Sequence, residues 1–436
     1  MLTDITPLRE IPAFRRLWLG SMLSSVGSAM TMFAVTLQVY DMTHSTAAVG
    51  ALGVATFVPM LVIALPGGTL ADRFDKRKLV LVITVCQTAV SALLFAQAAL
   101  GLSWLWLMYV LEAASSAVSA INAPARRTFI PALVPAERRA AAMALNRIVF
   151  QVMMMAGPAL AGVVAAGFGV KGCYLIDTVS FAGSFYGVSG IPAMPAPKTH
   201  GPGRSNLALT VEGLSFIRRS QALLGAFLTD ANATFFALPV SLFPAINAQR
   251  FGGDPRTLGL FTAAIGVGGM VTAVLSGPVT RASRHGLVML TTVAVWGAAF
   301  AVFAVAPSLW LTLLALGVAG AADTFTVVFR GVIVQAATPE EFRGRVNAAD
   351  YLVGAGAGQI GSLESGVVGS LTTPEISALA GGVATILGTI ALGAALPGFR
   401  RYRDQPAEAD RDRPPVGVSL RGHEARDLAA FGILSS

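Results

Sequence analysis

The sequence is poor in charge: Asp, Glu, Lys and Arg make up only 12% of its 436 residues, about half the share of a soluble domain. So few charges cannot cover a water-facing surface, and a soluble fold is excluded. Cysteine is nearly absent, and Cys86 and Cys173 are too far apart in sequence to form a disulfide framework or a thiolate metal site. The four histidines, His44, His200, His285 and His423, fall in expected loops or the tail, which argues against an imidazole proton relay inside a membrane. No G-x-x-x-x-G-K-[ST] loop is present, so ATP drive is not expected. No nucleophile and base pair and no metal-ligand cluster stands out, so neither an enzyme nor a cofactor is expected. The formal charge of +8 is spread through short loops rather than gathered into a basic face, which argues against a nucleic-acid partner.

Apolar residues, by contrast, are abundant. They make up 54% of the chain, the mean hydropathy is +0.68, and long apolar runs recur throughout. Each run reaches the ~20 residues that cross a bilayer as a helix. Helices are expected at 17–40, 47–69, 79–101, 104–123, 145–167 and 172–191, then at 221–247, 258–278, 287–306, 309–329, 346–370 and 374–397. The Pro- and Gly-rich stretch from Pro192 to Arg204 separates the two sets as a linker, and 207–220 reads as an amphipathic helix on the membrane surface. The expected organisation is an N-terminal segment 1–16, a bundle 17–191, a linker 192–220, a second bundle 221–397 and a tail 398–436 with the composition of a disordered segment. Of the 31 Lys and Arg, all but Lys171, Arg250 and Arg256 fall on the side that carries both termini. Cationic loops stay on the cytoplasmic side during insertion, so both termini are expected in the cytoplasm. Helix 1 reads as retained, because its apolar run is too long for a signal-peptide core.

Between helices 2 and 3 lies the charged stretch Gly68-Thr69-Leu70-Ala71-Asp72-Arg73-Phe74-Asp75-Lys76-Arg77-Lys78. It resembles the G-x-x-x-D-R-x-G-R-R signature of the major facilitator superfamily. Gly68, Asp72, Arg73, Lys76 and Arg77 match it, and Asp75 stands where the family has glycine. In helix 5, Gly157-Pro158-Ala159-Leu160-Ala161-Gly162 resembles the superfamily's antiporter motif at Gly157, Pro158 and Gly162, with Met153 and Ala161 replacing two of its glycines. The second half echoes the first. Gly277 to Arg284 sits where Gly68 to Asp75 sits, with Arg281 at the Asp72 position, and Thr338 to Asn347 mirrors Val134 to Asn146. The resemblance implies an all-α membrane protein of twelve transmembrane helices in two pseudo-symmetric six-helix bundles. It also implies a gate in which Asp72 meets the start of helix 11, near Gly344 to Asn347.

Four acids inside expected spans are candidates for carrying protons: Asp230 and Asp323 first, then Glu112 and Asp177. An ionisable side chain at that depth costs several kcal/mol unless it faces a cavity or a partner, and the only basic residues within reach of the spans are Arg147 and Arg330 near helix ends. Phe235, Phe236, Phe243 and Phe325 are candidates for an aromatic-lined substrate cavity; the commoner fate of such residues is lipid contact or packing. Tyr40 to Thr46, Leu70 to Lys78, Ser283 to Leu290, and Thr338-Pro339-Glu340 with Gly344-Arg345-Val346-Asn347 look like the enterobactin exporter group of the superfamily. That resemblance implies a proton-coupled exporter in the bacterial inner membrane, acting as a monomer on a siderophore-like or other small lipophilic or aromatic compound. A multidrug or macrolide pump is the competing transport reading, and a non-transporting sensor or assembly protein the competing class.

Overall fold

The computed structural model describes residues 4–194, 206–275 and 284–403, with no side chains at 64–73, 206–210, 274–275, 348, 351–353 and 355. Expectations for Gly68 and the side chains of Asp72 and Arg73, for the linker core, for the Gly277 repeat and for the tail lie outside the described residues.

Over the described residues each expected apolar run forms a helix, the seventh in two pieces. The long helices are α1 Pro12–Thr43, α2 Thr46–Arg73, α3 Lys76–Ala99, α4 Leu105–Arg127, α5 Arg139–Phe168 and α6 Val170–Ser189. The second half contributes α7 Gln221–Phe236, α8 Pro255–Leu275, α9 His285–Val305, α10 Leu309–Ala337, α11 Arg343–Leu371 and α12 Pro374–Ala395. Helix starts follow from short polar side chains that accept an otherwise orphan N–H. Ser45 caps α2, Asp75 caps α3, Ser220 caps α7, Ser308 caps α10 and Thr373 caps α12. Gly169 alone joins α5 to α6, at φ 70°, a conformation that a side chain would resist.

Among the described residues, ten helical segments are long and apolar enough to cross a membrane unaided. The other two long helices are α6, which carries Lys171, Asp177 and several hydroxyls, and α11, which is rich in Gly and Ser. Both pack against neighbours, α6 on α1 and α3, and α11 on α2 and α7. The expected helix 7 is not continuous. It breaks after Phe236, turns through Val240–Leu242, and resumes as Phe243–Phe251. Pro239 lies in the break, where its missing N–H could not have continued the ladder.

The two halves meet chiefly through α2 on α11 and α5 on α8. A Cβ on Gly50 would lie 2.6 Å from the Ser362 carbonyl, and one on Gly366 2.5 Å from the Thr46 carbonyl. A Cβ on Gly162 would lie 2.6 Å from the Pro255 carbonyl, and one on Gly259 2.6 Å from the Pro158 carbonyl. Pro158 and Gly162 therefore sit where the backbones of the two halves touch, and Gly157 is pressed against Ala29 of α1. These contacts lie toward the distal face, the one away from the chain termini. On the terminal face a helix at Asn206–Arg219 lies along α11, with Phe216 stacked on Phe342 and Glu212 paired with Arg345 at 3.1 Å.

Gly162→Leu places a side chain where only backbone fits, so the α5–α8 seam should part. Leu258 is buried at that seam, 3% exposed. A Leu258→Cys reporter in a background without Cys86 should react severalfold faster with a maleimide once Gly162→Leu is added. An unchanged rate would mean that the seam tolerates the side chain.

Candidate functional site

A cavity of about 390 Å³ lies between the halves, lined by Met32, Val35 and Thr36 of α1, Leu52 and Thr56 of α2, Glu112 of α4, Leu238 and Ser241 at the α7 break, and Gln359 of α11. The break places non-helical backbone against a cavity rather than against lipid, the condition under which a membrane interior tolerates it. It is held by Trp296 Nε1, which donates to the Ala237 carbonyl at 2.5 Å, and by the Ser241 and Ser365 hydroxyls at 3.1 Å.

Glu112 is the one acid among the residues lining this cavity. Its Oε1 accepts from Thr56 Oγ1 at 3.2 Å. The same residue lines a second cavity of about 220 Å³ inside the first bundle, together with Ser28, Thr31, Gln87, Ser91, Ser115, Ser119 and Asp177. Asp177 accepts from Thr31 Oγ1 at 2.8 Å, Ser91 Oγ at 2.9 Å and Ser28 Oγ at 3.3 Å. Glu112 and Asp177 thus border one hydroxyl-lined space, and no cation pairs with either among the described residues. Hydroxyls can both donate and accept, so such a lining can hold a carboxyl group in either protonation state.

The acids of the second bundle are arranged differently. Arg330 Nη1 lies 2.6 Å from Asp230 Oδ2 and 3.3 Å from Asp350 Oδ1, joining α7, α10 and α11. Arg330 was expected near a helix end, and it lies deeper than that. α10 runs on to Ala337 rather than ending near 329, because Gly331 to Ala337 continues its apolar helical run, and so Arg330 lies about two turns inside. Asp323 lies two turns earlier on α10, half-buried, and makes no hydrogen bond or ion pair among the described residues. His285 also departs from expectation: it is the first residue of α9, 4% exposed, with its ring 5.5 Å from that of Phe329. A loop was expected because the charged run before it obscures where the helix begins.

None of the four candidate phenylalanines is among the residues lining the central cavity. Phe243 is buried in a cluster with Phe261 and Phe303, at centroid distances of 5.9 and 5.3 Å. Phe235 and Phe236 pack edge to face at 4.8 Å, and Phe325 packs on the core around Phe329 and Phe399. The α7 break turns this aromatic run away from the cavity and presents Leu238 and Ser241 instead. Of the charged α2–α3 loop, Arg77 Nη2 donates to the Ser189 carbonyl at the end of α6, at 2.7 Å. Asp75 accepts from the Lys78 and Met194 N–H groups, both at 3.0 Å, and the Lys76 N–H donates to the Met194 carbonyl at 3.1 Å. Asp75 replaces the turn-forming glycine with a cap that also ties the loop to α6. The hydroxyls around Asp177 went unnoticed in the sequence. Their signal is the row Ser28, Thr31, Ser91, Ser115 and Ser119, polar residues within apolar helices.

Two six-helix halves around a central cavity, with one helix broken beside it, define a secondary transporter of the major facilitator type. The sequence pattern of the transmembrane secretion effector family matches residues 2–422, and the chain belongs to that family. It is a multi-pass membrane transporter and not an enzyme. It is 28% identical to a protein of Citrobacter koseri named enterobactin exporter EntS, over 94% of this chain and 98% of that one. It is also 28% identical to the protein of that name from Shigella boydii, over 93% of this chain and 97% of that one. In fold it is similar to the nucleoside transporter NupG, with TM-score 0.69, 13% identity, 90% of this chain and 100% of that one covered. A bacterial homolog of the human lysosomal transporter Spinster is similar at TM-score 0.64 and 15% identity, with 91% of this chain and 97% of that one covered.

Arg330→Gln strands Asp230 and Asp350 without a cation and should cost about 3 kcal/mol, the range for breaking a buried ion pair. Asp230→Asn leaves the Arg330–Asp350 contact and should cost clearly less. Thermal unfolding of the two purified variants decides this; equal losses would mean that Arg330 does not hold the three helices together.

Proposed function

We propose that this chain is a proton-coupled exporter of the bacterial inner membrane, with both termini in the cytoplasm. Its cargo is a siderophore-like or other small lipophilic or aromatic compound. The observation that carries the reading is Glu112, which borders both the central cavity and the hydroxyl-lined space that holds Asp177. A carboxyl group shared between a substrate cavity and a polar interior can exchange substrate binding against proton binding. The family and the exporters it resembles support outward movement of cargo.

The seams at α2–α11 and α5–α8 close the distal face, so the cavity faces the terminal, cytoplasmic side in this state. Cargo loads there, protonation of Glu112 and Asp177 from outside resets the cycle, and the halves rock about the glycine seams. Asp230, paired with Arg330, serves better as a holding contact between helices than as the exchanging acid, and Asp323 remains a candidate beside it. In this reading Gly68, Asp72, Arg73, Lys76 and Arg77 are the gate residues of the terminal face, and the bond from Arg77 to the Ser189 carbonyl supports a place for it as the anchor to α6.

The test is uptake into inverted membrane vesicles under an imposed pH gradient, offering a catecholate siderophore, a macrolide and a lipophilic dye separately. Gradient-dependent uptake of the siderophore is expected for the unaltered protein. Glu112→Gln should abolish the gradient dependence while binding persists. Uptake of the dye and macrolide instead would make it a multidrug pump, and uptake of nothing would favour a sensor or assembly role.

A further inference from the structure

A larger cavity, of about 640 Å³, lies at the terminal face between α1, α4 and α5 and shares no lining residue with the central cavity. Its walls combine apolar surface from Trp18, Phe150 and Met153 with three arginines, Arg126, Arg127 and Arg139. It extends along α5 from Arg139 to Met153, roughly 21 Å at the helical rise. Ser25, at its inner end, lies seven positions before Met32 of the central cavity on α1.

Among the described residues the arginines lack acid partners. Arg126 donates from Nε to Asn122 Oδ1 at 3.1 Å, from Nη1 to Ser21 Oγ at 3.0 Å and from Nη2 to Ser184 Oγ at 2.6 Å. All three acceptors are neutral, and a guanidinium has five N–H donors, so among the described residues the charge is uncompensated and two donors find no acceptor. Among the described residues Arg139 is bonded only to the carbonyls of Val134 and Pro131, at 3.2 and 2.9 Å. Glu10 pairs with Arg138. None of the three cavity arginines has a carboxylate partner among the described residues. Arg126 is half-buried, where a cation without a counter-charge is unfavourable, while Arg127 and Arg139 are exposed at the cavity rim; a guanidinium fork matches the paired oxygens of a carboxylate, sulfonate or phosphate.

We propose that this cavity is a loading site for an amphiphilic organic anion, its acid group held by Arg126 and Arg139 and its apolar body lying against Trp18 and Phe150. Two sources share that chemistry, a soluble aromatic acid and an anionic lipid headgroup. The proposal rests on the transport reading only for its use, because binding here needs neither a gradient nor Glu112.

The test is equilibrium binding to the full chain in phosphatidylcholine nanodiscs, followed by tryptophan quenching, with naphthalene-2-sulfonate and its uncharged counterpart naphthalene-2-sulfonamide as probes. The sulfonate should bind at least about tenfold more tightly, the scale of one charge-assisted contact. Arg126→Gln and Arg139→Gln should each remove most of that preference, Arg126→Lys should restore part of it, and Trp18→Phe should reduce the quench. If Arg126→Gln does not fold, Arg139→Gln carries the test, since its bonds are to loop carbonyls alone. Glu112→Gln should bind the sulfonate normally, so loss of transport and loss of this site are read separately. Displacement of the probe by phosphatidylglycerol would identify the anion as lipid, and no displacement would identify it as a soluble acid. Equal binding of the two probes, or unchanged sulfonate binding in both glutamine variants, would overturn the proposal.

Discussion

Hydrocarbon offers no hydrogen bond, and most of this structure follows from that. Backbone N–H and C=O groups must be satisfied within each segment, which leaves helices as the spanning element. Polar side chains must then turn inward to find partners there. The serines and threonines of α1, α3 and α4, the ion pair at Arg330 and the break in α7 are three answers to the same demand. The break stands beside a cavity because unpaired backbone against lipid would cost several kcal/mol for each group.

The two halves treat their acids differently despite their common architecture. In the first half Asp177 is surrounded by hydroxyls and Glu112 reaches two cavities, so their charge can change without stranding a partner. In the second half Asp230 and Asp350 share Arg330, so their charges support each other and neutralising one alters the balance of all three. Proton exchange belongs more naturally to the first arrangement and mechanical coupling to the second. The seam between the halves is mostly glycine against carbonyl, with no side chains interlocked at Gly162 and Gly259. At α2–α11 a buried hydrogen bond adds to this contact, the Thr46 hydroxyl donating to the Gly366 carbonyl at 2.7 Å, and it must break for that seam to part.

Much of the architecture was legible in the chain. Apolar runs of spanning length, caps such as Ser45 and Thr373, and the clustering of Lys and Arg in alternate loops are local properties, and local properties survive folding. The antiporter-like motif was legible as a site of close approach, since Gly157 and Gly162 leave room for a neighbour whichever helix arrives. Arg330 was harder, because the end of α10 depends on whether the apolar period outweighs a single charge. The charge proved tolerable since Asp230 came to meet it. The phenylalanines of α7 misled for a related reason: the run Phe235-Phe236 gives no sign that Pro239 will redirect the chain beyond it.

By itself, then, the sequence determined the number and length of the apolar runs, the clustering of positive charge and the family. Each of these rests on composition and short-range spacing. Only the tertiary structure decided which polar groups meet: Glu112 with Thr56, Asp177 with three hydroxyls from two other helices, Arg330 with two acids, and Arg126 with three neutral acceptors. Those pairings join residues up to 149 positions apart, and the geometry that brings them together is set by helix packing, which no local pattern encodes.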